Sequence, residues 1–97
     1  MPEEDGGVAI ELPDGTVTLG PEELKMFFIF SNATLQGDVY YEGFIEKGEG
    51  GVRIFRSLIQ KGFLKGTRET SSRIYAAVSS RGDLARWVLA EVVKDKI

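Results

Sequence analysis

Hydrophobic and polar residues alternate near the start of the chain. From Val8 to Leu12 every second residue is apolar, and a second alternation follows a Pro-Asp-Gly turn. Alternation on both sides of such a turn is typical of a β-hairpin. The pattern therefore predicts a hairpin over residues 8–19. Residues 1–7, which are acidic and contain two glycines, are expected to form a frayed tail.

Later segments carry the signals of helices. Pro21, followed by two glutamates, predicts a helix start, because proline fits the first helical turn and carboxylates are favoured at a helix N-terminus. The apolar run Met26 to Phe30 taken alone also fits a buried strand, but this start favours a helix. Ser80, with an acid three residues later, predicts the start of the last helix. The predicted helices span residues 21 to about 32, a short stretch within 38–48, residues 51–61 and the chain from residue 80 onwards.

The short second helix is predicted from an apolar stripe within residues 38–48. Glu42 and Glu46 would lie on its other side, four residues apart. Such a pair could serve acid-base catalysis, but without a pocket or a metal partner we interpret it as a solvated face. The Gly-Glu-Gly-Gly sequence that follows predicts a tight turn rather than a phosphate loop, because no Gly-Lys-Ser/Thr accompanies it.

Two further strands are predicted after the third helix. The segments FLKGTRE and RIYAAVS are rich in strand-forming residues and are joined by a Thr-Ser-Ser turn. They predict a second hairpin over about residues 63–79. Together with the helices, it gives a single α+β domain over residues 8–97.

Composition narrows the possible functions. The chain has 97 residues, which fits one domain, and contains neither Cys nor His. A zinc finger, a disulfide framework, a thiol nucleophile and a Ser-His-Asp triad are therefore excluded. We expect no enzymatic activity, no metal and no cofactor. The longest apolar run is five residues, and the N-terminus is acidic, so we expect no membrane segment and a cytoplasmic location.

Charge is divided unevenly along the chain. Residues 1–48 carry ten acids and two lysines, whereas residues 49–97 carry ten bases and five acids. Six of these bases lie between Arg53 and Arg73, with Glu69 as the single acid among them. Such a cluster can bind phosphate despite the overall charge of −3, although a solvated surface of mixed charge explains the cluster equally well.

Part of this basic cluster lies on one face of the third predicted helix. Arg53, Arg56, Ser57 and Gln60 fall on one helical face, and the opposite face is apolar. Arg can contact guanine and Gln can contact adenine in the major groove, and each good pair contributes about 1–3 kcal/mol of discrimination. The alternative is that this face is only the solvated side of an amphipathic helix.

The order of the predicted elements resembles the winged helix-turn-helix family of DNA-binding domains. GVRIFRSLIQKGFL is similar to the recognition helix of MarR- and PadR-type regulators, RIYAAVS to their second wing strand, and SSRGDLARWVL to the junction before their last helix. The resemblance covers about residues 21–95. It implies a three-helix core with a β-hairpin wing and a C-terminal helix, to which the hairpin at 8–19 is an addition. Phe44-Ile45 stands where the family often has a Leu-Ala pair.

This resemblance and the basic cluster together predict a small transcription regulator that binds double-stranded DNA with sequence specificity. The predicted contacts in the recognition helix and the wing are Arg53, Arg56, Ser57, Gln60, Lys61, Lys65, Arg68 and Arg73. The prediction requires the cations to converge on one open surface, clear of the acidic first half. The alternative is a winged-helix module that binds another protein, and the acidic first half favours it because that half would repel DNA.

The last predicted helix is apolar around more than half of its circumference, which is more than a monomer of this size easily covers. This predicts a two-fold homodimer through the first and last helices. The predicted interface residues are Leu84, Trp87, Val88 and Val92. We also expect large aromatic residues in the core. These are Trp87 and the phenylalanines of the first helix, Phe27, Phe28 and Phe30.

Overall fold

The computed structural model describes residues 7–96, with the side chains of residues 7–91. In these residues the elements are β1 Val8–Leu12, β2 Gly15–Leu19, α1 Pro21–Thr34, β3 Leu35–Gln36, β4 Val39–Tyr40, β5 Gly43–Glu46, α2 Val52–Gln60, β6 Leu64–Glu69, β7 Arg73–Val78 and α3 Ser80–Lys96. The α+β class is confirmed, and so are the helices α1, α2 and α3 and both predicted hairpins. The predicted tail lies outside the described residues except for Gly7.

The N-terminal hairpin is part of the core. Strands β1 and β2 pair antiparallel, with Val8 opposite Leu19 and Leu12 opposite Gly15. Their alternation places Ile10, Leu12 and Leu19 on one face, where all three are buried. Burying a side chain of this size contributes about 1.5–3 kcal/mol, so the hairpin stabilises the domain rather than extending from it.

Helix α1 joins the hairpin to the rest of the core. The Glu23 side chain accepts a hydrogen bond from the Gly20 backbone N–H at 2.9 Å, which satisfies a donor at the helix start. Phe27 and Phe30 are buried, as predicted, and Phe28 is partly buried. The ring of Phe27 lies 5.5 Å from that of Phe63, and Phe30 packs edge-on against Phe55 at 5.1 Å.

The predicted second helix within residues 38–48 is wrong. Strands β4 and β5 and a short 3-10 turn, Lys47–Glu49, occupy this segment. Its aromatic and β-branched residues favour strands, and glycine at position 43 weakens a helix by about 1 kcal/mol relative to alanine. Gly43 also lets β5 approach α1, since a Cβ there would lie 2.6 Å from Thr34. Three helices with antiparallel sheets remain, an arrangement compatible with a winged helix although the helix before the turn is missing.

A three-stranded antiparallel sheet of order β5-β7-β6 places one face against the core. Ile74 and Ala76 of β7 are buried on that inner face, together with Phe55 and Leu58 of α2. The residues that alternate with them on β7, Arg73, Tyr75 and Ala77, lie on the opposite side, which we call the outer face of the sheet.

Helix α3 begins one residue away from the predicted cap. Ser79, rather than Ser80, is the N-cap, because its hydroxyl accepts the Gly82 backbone N–H at 2.9 Å. The Asp83 carboxylate instead accepts a hydrogen bond from the Tyr40 hydroxyl at 3.0 Å. Burial and this hydrogen bond raise the pKa of Tyr40. None of the helices within residues 7–96 is both long and apolar enough to cross a lipid bilayer.

Candidate binding surfaces

The structure divides the predicted DNA contacts between two elements with different surroundings. Arg53, Arg56, Ser57 and Gln60 lie on α2, whose apolar side packs into the core on the inner side of the sheet, and Lys61 follows the helix. Lys65 pairs with Ala77, Arg68 pairs with Tyr75, and Arg73 belongs to β7. These last three residues therefore belong to the outer face of the sheet.

Arg56 on α2 is already bound to a carboxylate. Its two terminal nitrogens donate to the two oxygens of Glu69 at 3.1 and 2.9 Å. Lys47 Nζ lies 2.6 Å from the same carboxylate. Hydrogen bonds from Arg56 and Lys47 lower the pKa of Glu69 to about 2, so this acid stays charged at neutral pH. Arg56, one of the two arginines predicted to contact guanine, is thus partnered within the molecule.

Ser57 and Lys61 are also engaged, in this case by Glu23 of α1. Lys61 Nζ donates to both Glu23 oxygens at 2.8 Å and to the Thr18 carbonyl at 2.8 Å, and the Ser57 hydroxyl donates to Glu23. Burial raises the pKa of Glu23, but hydrogen bonds from Lys61, Ser57 and the Gly20 backbone outweigh it, and the pKa is lowered. These two predicted contacts hold α1 and the hairpin to α2.

Arg53, Gln60 and Lys65 remain exposed. Among the described side chains, no carboxylate lies within ion-pair distance of Arg53 or Lys65. Arg53 borders a cleft of about 390 Å³ between α2 and the start of α1, and Glu22 and Glu23 line the same cleft. Two carboxylates beside one arginine make this cleft a poor site for phosphate.

The outer face of the sheet combines aromatic rings with arginines. Phe44 of β5 lies 5.5 Å from Tyr75 of β7, ring to ring. The Arg68 guanidinium lies 3.8 Å from the centre of the Tyr75 ring, and that of Arg73 lies 4.2 Å from the centre of the Phe44 ring. Stacking of this kind favours these positions of the guanidinium groups, by about 0.5–1 kcal/mol at exposed sites.

Glu42 and Glu46 border this outer face instead of lining a helix. Glu46 accepts a hydrogen bond from Arg73 Nε at 2.9 Å, and Arg73 also donates to the Tyr75 hydroxyl at 3.4 Å. Glu42 lies 3.8 Å from Arg68 and accepts a hydrogen bond from the Thr67 hydroxyl. The predicted helical placement of these acids is therefore wrong, because Glu46 ends β5 and Glu42 precedes it. Both side chains remain partly exposed, at 39% and 36%, each beside an arginine of the neighbouring hairpin.

Helices α1 and α3 expose several large apolar side chains among the described residues. Trp87 is 69% exposed, so its predicted place in the core is wrong, and Leu84 and Ile29 are 41% and 60% exposed. A groove of about 160 Å³ lies beside the indole, lined by Phe28, Arg86 and Ala90. Of the other predicted dimer residues, Val88 packs against the core, and the side chain of Val92 lies outside the described part.

The ion pairs decide how the basic cluster is interpreted. Four of its six cations have a carboxylate within 4 Å, and three of those acids, Glu23, Glu42 and Glu46, come from the acidic first half. The expectation that the cluster is clear of that half is wrong. In the described part of the chain, no three acidic side chains come close enough together to hold a metal ion.

Comparison of the chain with protein-family models, with curated proteins and with solved structures gave no match.

Proposed function

We propose that this chain is a winged-helix module that binds another protein, with the outer face of the sheet as its docking surface. The observation that carries the proposal is the cluster of Phe44 and Tyr75 with Arg68 and Arg73 stacked on their rings. Aromatic residues and arginine are the types most enriched at the centres of protein interfaces. Here they form an exposed cluster whose charges are nearly balanced by Glu42 and Glu46.

The winged-helix part of the proposal is supported by element order and pairing. Helix α2 leads through Phe63 into the hairpin β6–β7, and β5, which lies between α1 and α2 in the chain, adds to the hairpin as a third strand. Helix α3 then follows β7 directly. The 3-10 turn at residues 47–49 takes the place of the missing helix.

A protein fits this charge pattern better than a nucleic acid does. Duplex DNA carries one negative charge per roughly 1.7 Å of helix axis, so a broad contact brings phosphates close to every acid on the surface. Glu42 and Glu46 lie among the cations of the outer face, and Glu23 and Glu69 lie among those of α2. A protein can place its charges singly and avoid these acids.

A photo-crosslinking residue at a chosen position tests the proposal directly. Benzoylphenylalanine at position 44 of the full chain, irradiated in the cells that produce it, is expected to yield a discrete adduct that mass spectrometry identifies as a protein. The matched control carries the same residue at position 16, an exposed position on β2. Adducts with nucleic acid, or equal adducts from both positions, would contradict the proposal.

Duplex DNA is the second candidate ligand, and one observation favours it. Arg53 and Gln60 are exposed on α2, and Lys65 is exposed at the start of the following strand. Exposed ion pairs contribute little to stability, so Arg56 could exchange Glu69 for a guanine. Arg53→Ala and Arg56→Ala should then each weaken binding to a duplex selected from random sequences, with Lys25→Ala, at an exposed position of α1, as the control. Unchanged affinity in both variants would reject this candidate.

Self-association is a separate proposal that rests on α1 and α3. A standard interface buries roughly 800 Å² on each partner, and large aromatic side chains bury about 150–250 Å² each. A two-fold contact requires a surface that is complementary to itself. On this face the exposed Trp87 projects from α3, and the groove lined by Phe28 and Ala90 lies beside it. Light scattering at tens of micromolar is expected to give the dimer mass for the wild type and the monomer mass for Trp87→Ala. A monomeric wild type would overturn this proposal.

A further inference from the structure

We infer that the docking partner presents an acidic segment to the outer face of the sheet, with one carboxylate bound by Arg68 and a neighbouring apolar side chain packed on Phe44. The inference rests on the proposed protein-binding function and adds the chemistry of the partner. It follows from an asymmetry between the two stacked arginines.

Arg73 has close partners within the molecule. Its Nε donates to Glu46 at 2.9 Å, and another nitrogen donates to the Tyr75 hydroxyl at 3.4 Å. Hydrogen bonds to Tyr75 and Glu46 raise its pKa further, which reflects how well the charged form is satisfied. Arg73 therefore stabilises the cluster and covers the Phe44 ring, rather than providing an open site for an anion.

Arg68 is held by stacking but is poorly paired. Its side chain is 58% exposed, and the nearest carboxylate in the described part of the chain, Glu42, lies 3.8 Å from one terminal nitrogen, beyond hydrogen-bond distance. Glu42 is itself occupied by the Thr67 hydroxyl. The planar guanidinium is stacked on the Tyr75 ring and has open donors. It can therefore bind a carboxylate through two hydrogen bonds with little reorganisation.

The surroundings of Arg68 define where the rest of the segment lies. Lys65, another exposed cation without a carboxylate partner among the described side chains, belongs to the same face and the same strand. Phe44 lies across Tyr75 on the opposite strand and is 44% exposed. Acidic residues of the partner thus fit the β6 side of the face, and an apolar residue fits the β5 side.

The partner contacts side chains rather than adding a strand at the β6 edge of the sheet. The pairing of β6 with β7 shifts register between Gly66 and Arg68, and the same strand carries Lys65. A bulge and charged residues on an edge strand both oppose the addition of a further strand.

Selection of peptides tests the inference. A library of linear peptides displayed on phage would be selected on the full wild-type chain, after depletion on the bare support. The expected winners carry Asp or Glu close to an aromatic or aliphatic residue. A synthetic winner should bind Arg68→Ala at least about tenfold more weakly, a difference of about 1.4 kcal/mol, and Arg68→Lys should fall between the two because a bidentate contact is lost.

Matched controls separate the possible outcomes. Arg53→Ala carries the same charge change on α2 and should leave peptide affinity unchanged. NMR shifts on peptide addition should fall at Phe44, Arg68 and Tyr75, and the NMR spectrum of the free Arg68→Ala protein should remain that of a folded domain.

Three results would overturn the inference. Winners without acidic residues, or winners insensitive to Arg68→Ala, would leave the proposed protein-binding function in place and remove the acidic segment. Binding of a single-stranded oligonucleotide that depends on Arg68 would assign the site to nucleic acid. An absence of any selected peptide, together with no protein adduct from position 44, would remove both the inference and the proposed function.

Discussion

The exposed face of α2 and the outer face of the sheet are both rich in arginine, yet they differ in what surrounds the guanidinium groups. On α2, Arg56 is bound through both terminal nitrogens to Glu69, and no aromatic ring lies over it among the described residues. On the sheet, Arg68 lies on Tyr75 with most of its donors open. Equal numbers of cations therefore do not give equal binding surfaces. Whether an arginine is open to a ligand depends on the aromatic ring and the carboxylate that lie beside it.

The same comparison separates cations that join elements of the fold from cations that remain open. Lys61 is 29% exposed and Glu23 only 16%, and their contact joins α2 to α1 and, through the Thr18 carbonyl, to the N-terminal hairpin. Arg81 of α3 donates a hydrogen bond to the Lys61 backbone carbonyl and lies 3.3 Å from Asp14, in the turn of the N-terminal hairpin. The C-terminal end of α2 is thus joined to the hairpin by two separate contacts.

The largest change in stability is expected at Gly82, because its contact with Phe63 lies at the junction on which both faces depend. A Cβ at position 82 would lie 2.0 Å from the Phe63 carbonyl oxygen, and Phe63 connects α2 to β6. Gly82→Ala should therefore cost about 3 kcal/mol or more in the free energy of unfolding and weaken both faces together. Urea unfolding measures the change. The control is Gly48→Ala, because no atom lies within 4 Å of a Cβ there. Equal stability of both variants would show that the faces do not depend on this junction.

An intermediate effect is expected from Glu23→Gln, which acts on the α2 face alone. Loss of the charge-assisted hydrogen bonds to Lys61 and Ser57 should cost about 1–3 kcal/mol. The neighbouring exposed residue supplies the control, Glu22→Gln, which should change little. Binding at the outer face of the sheet should survive Glu23→Gln, since no residue of that face contacts Glu23 in the described structure. Loss of outer-face binding in this variant would break the separation of the two faces.

The same residue predicts a pH dependence. The pKa of Glu23 is lower in the folded than in the unfolded chain, so its stabilising contribution is complete above the ordinary pKa of 4.5. That contribution is lost as the pH falls from there through the lowered folded-state pKa. Wild-type stability should therefore decline over this range more steeply than that of Glu23→Gln. Parallel pH profiles of the two proteins would contradict the assignment.

The smallest effect is expected from Glu69→Gln, which tests the pairing on the α2 face. The carboxylate lies at the surface between Arg56 and Lys47, so stability should hardly change. Affinity for duplex DNA at low salt should rise a few-fold, because one acid is removed and two cations are released. Gel shifts measure this change, with Glu91→Gln as the control for net charge. A rise of equal size in the control would show that only total charge matters.

Sequence patterns predicted the elements that local rules determine. The Pro-Asp-Gly turn, the Pro-Glu-Glu start of α1 and the amphipathic spacing of α2 each specify one structure through neighbouring residues, and each prediction is confirmed. Residues 39–46 were predicted wrongly because their helical spacing competed with strand-forming side chains. Pairing decided the outcome: Val39–Tyr40 pairs with β3, and residues 43–46 pair with β7, which lies 27 to 33 residues away in the chain.

The candidate site was harder to predict, for the same reason. The acids that bind Lys61, Arg68 and Arg73 stand 38, 26 and 27 residues before them in the chain, so no local pattern reveals the pairs. Phe44 and Tyr75 were missed although a signal was present. In RIYAAV, Arg73 and Tyr75 alternate with Ile74 and Ala76, which places an arginine and an aromatic ring on the exposed side of a strand.

The salt dependence of duplex DNA affinity tests most directly whether the cations of this chain are engaged by its own acids. The slope of log K against log salt concentration is roughly −0.9 for each phosphate that is neutralised. Among the described side chains, only Arg53, Lys65 and the weakly paired Arg68 of this cluster are open, so we expect weak binding at 50 mM salt, none at 200 mM, and a slope no steeper than about −3. Specific binding with a slope near −5 would show that all the cations reach phosphate, and would contradict the account.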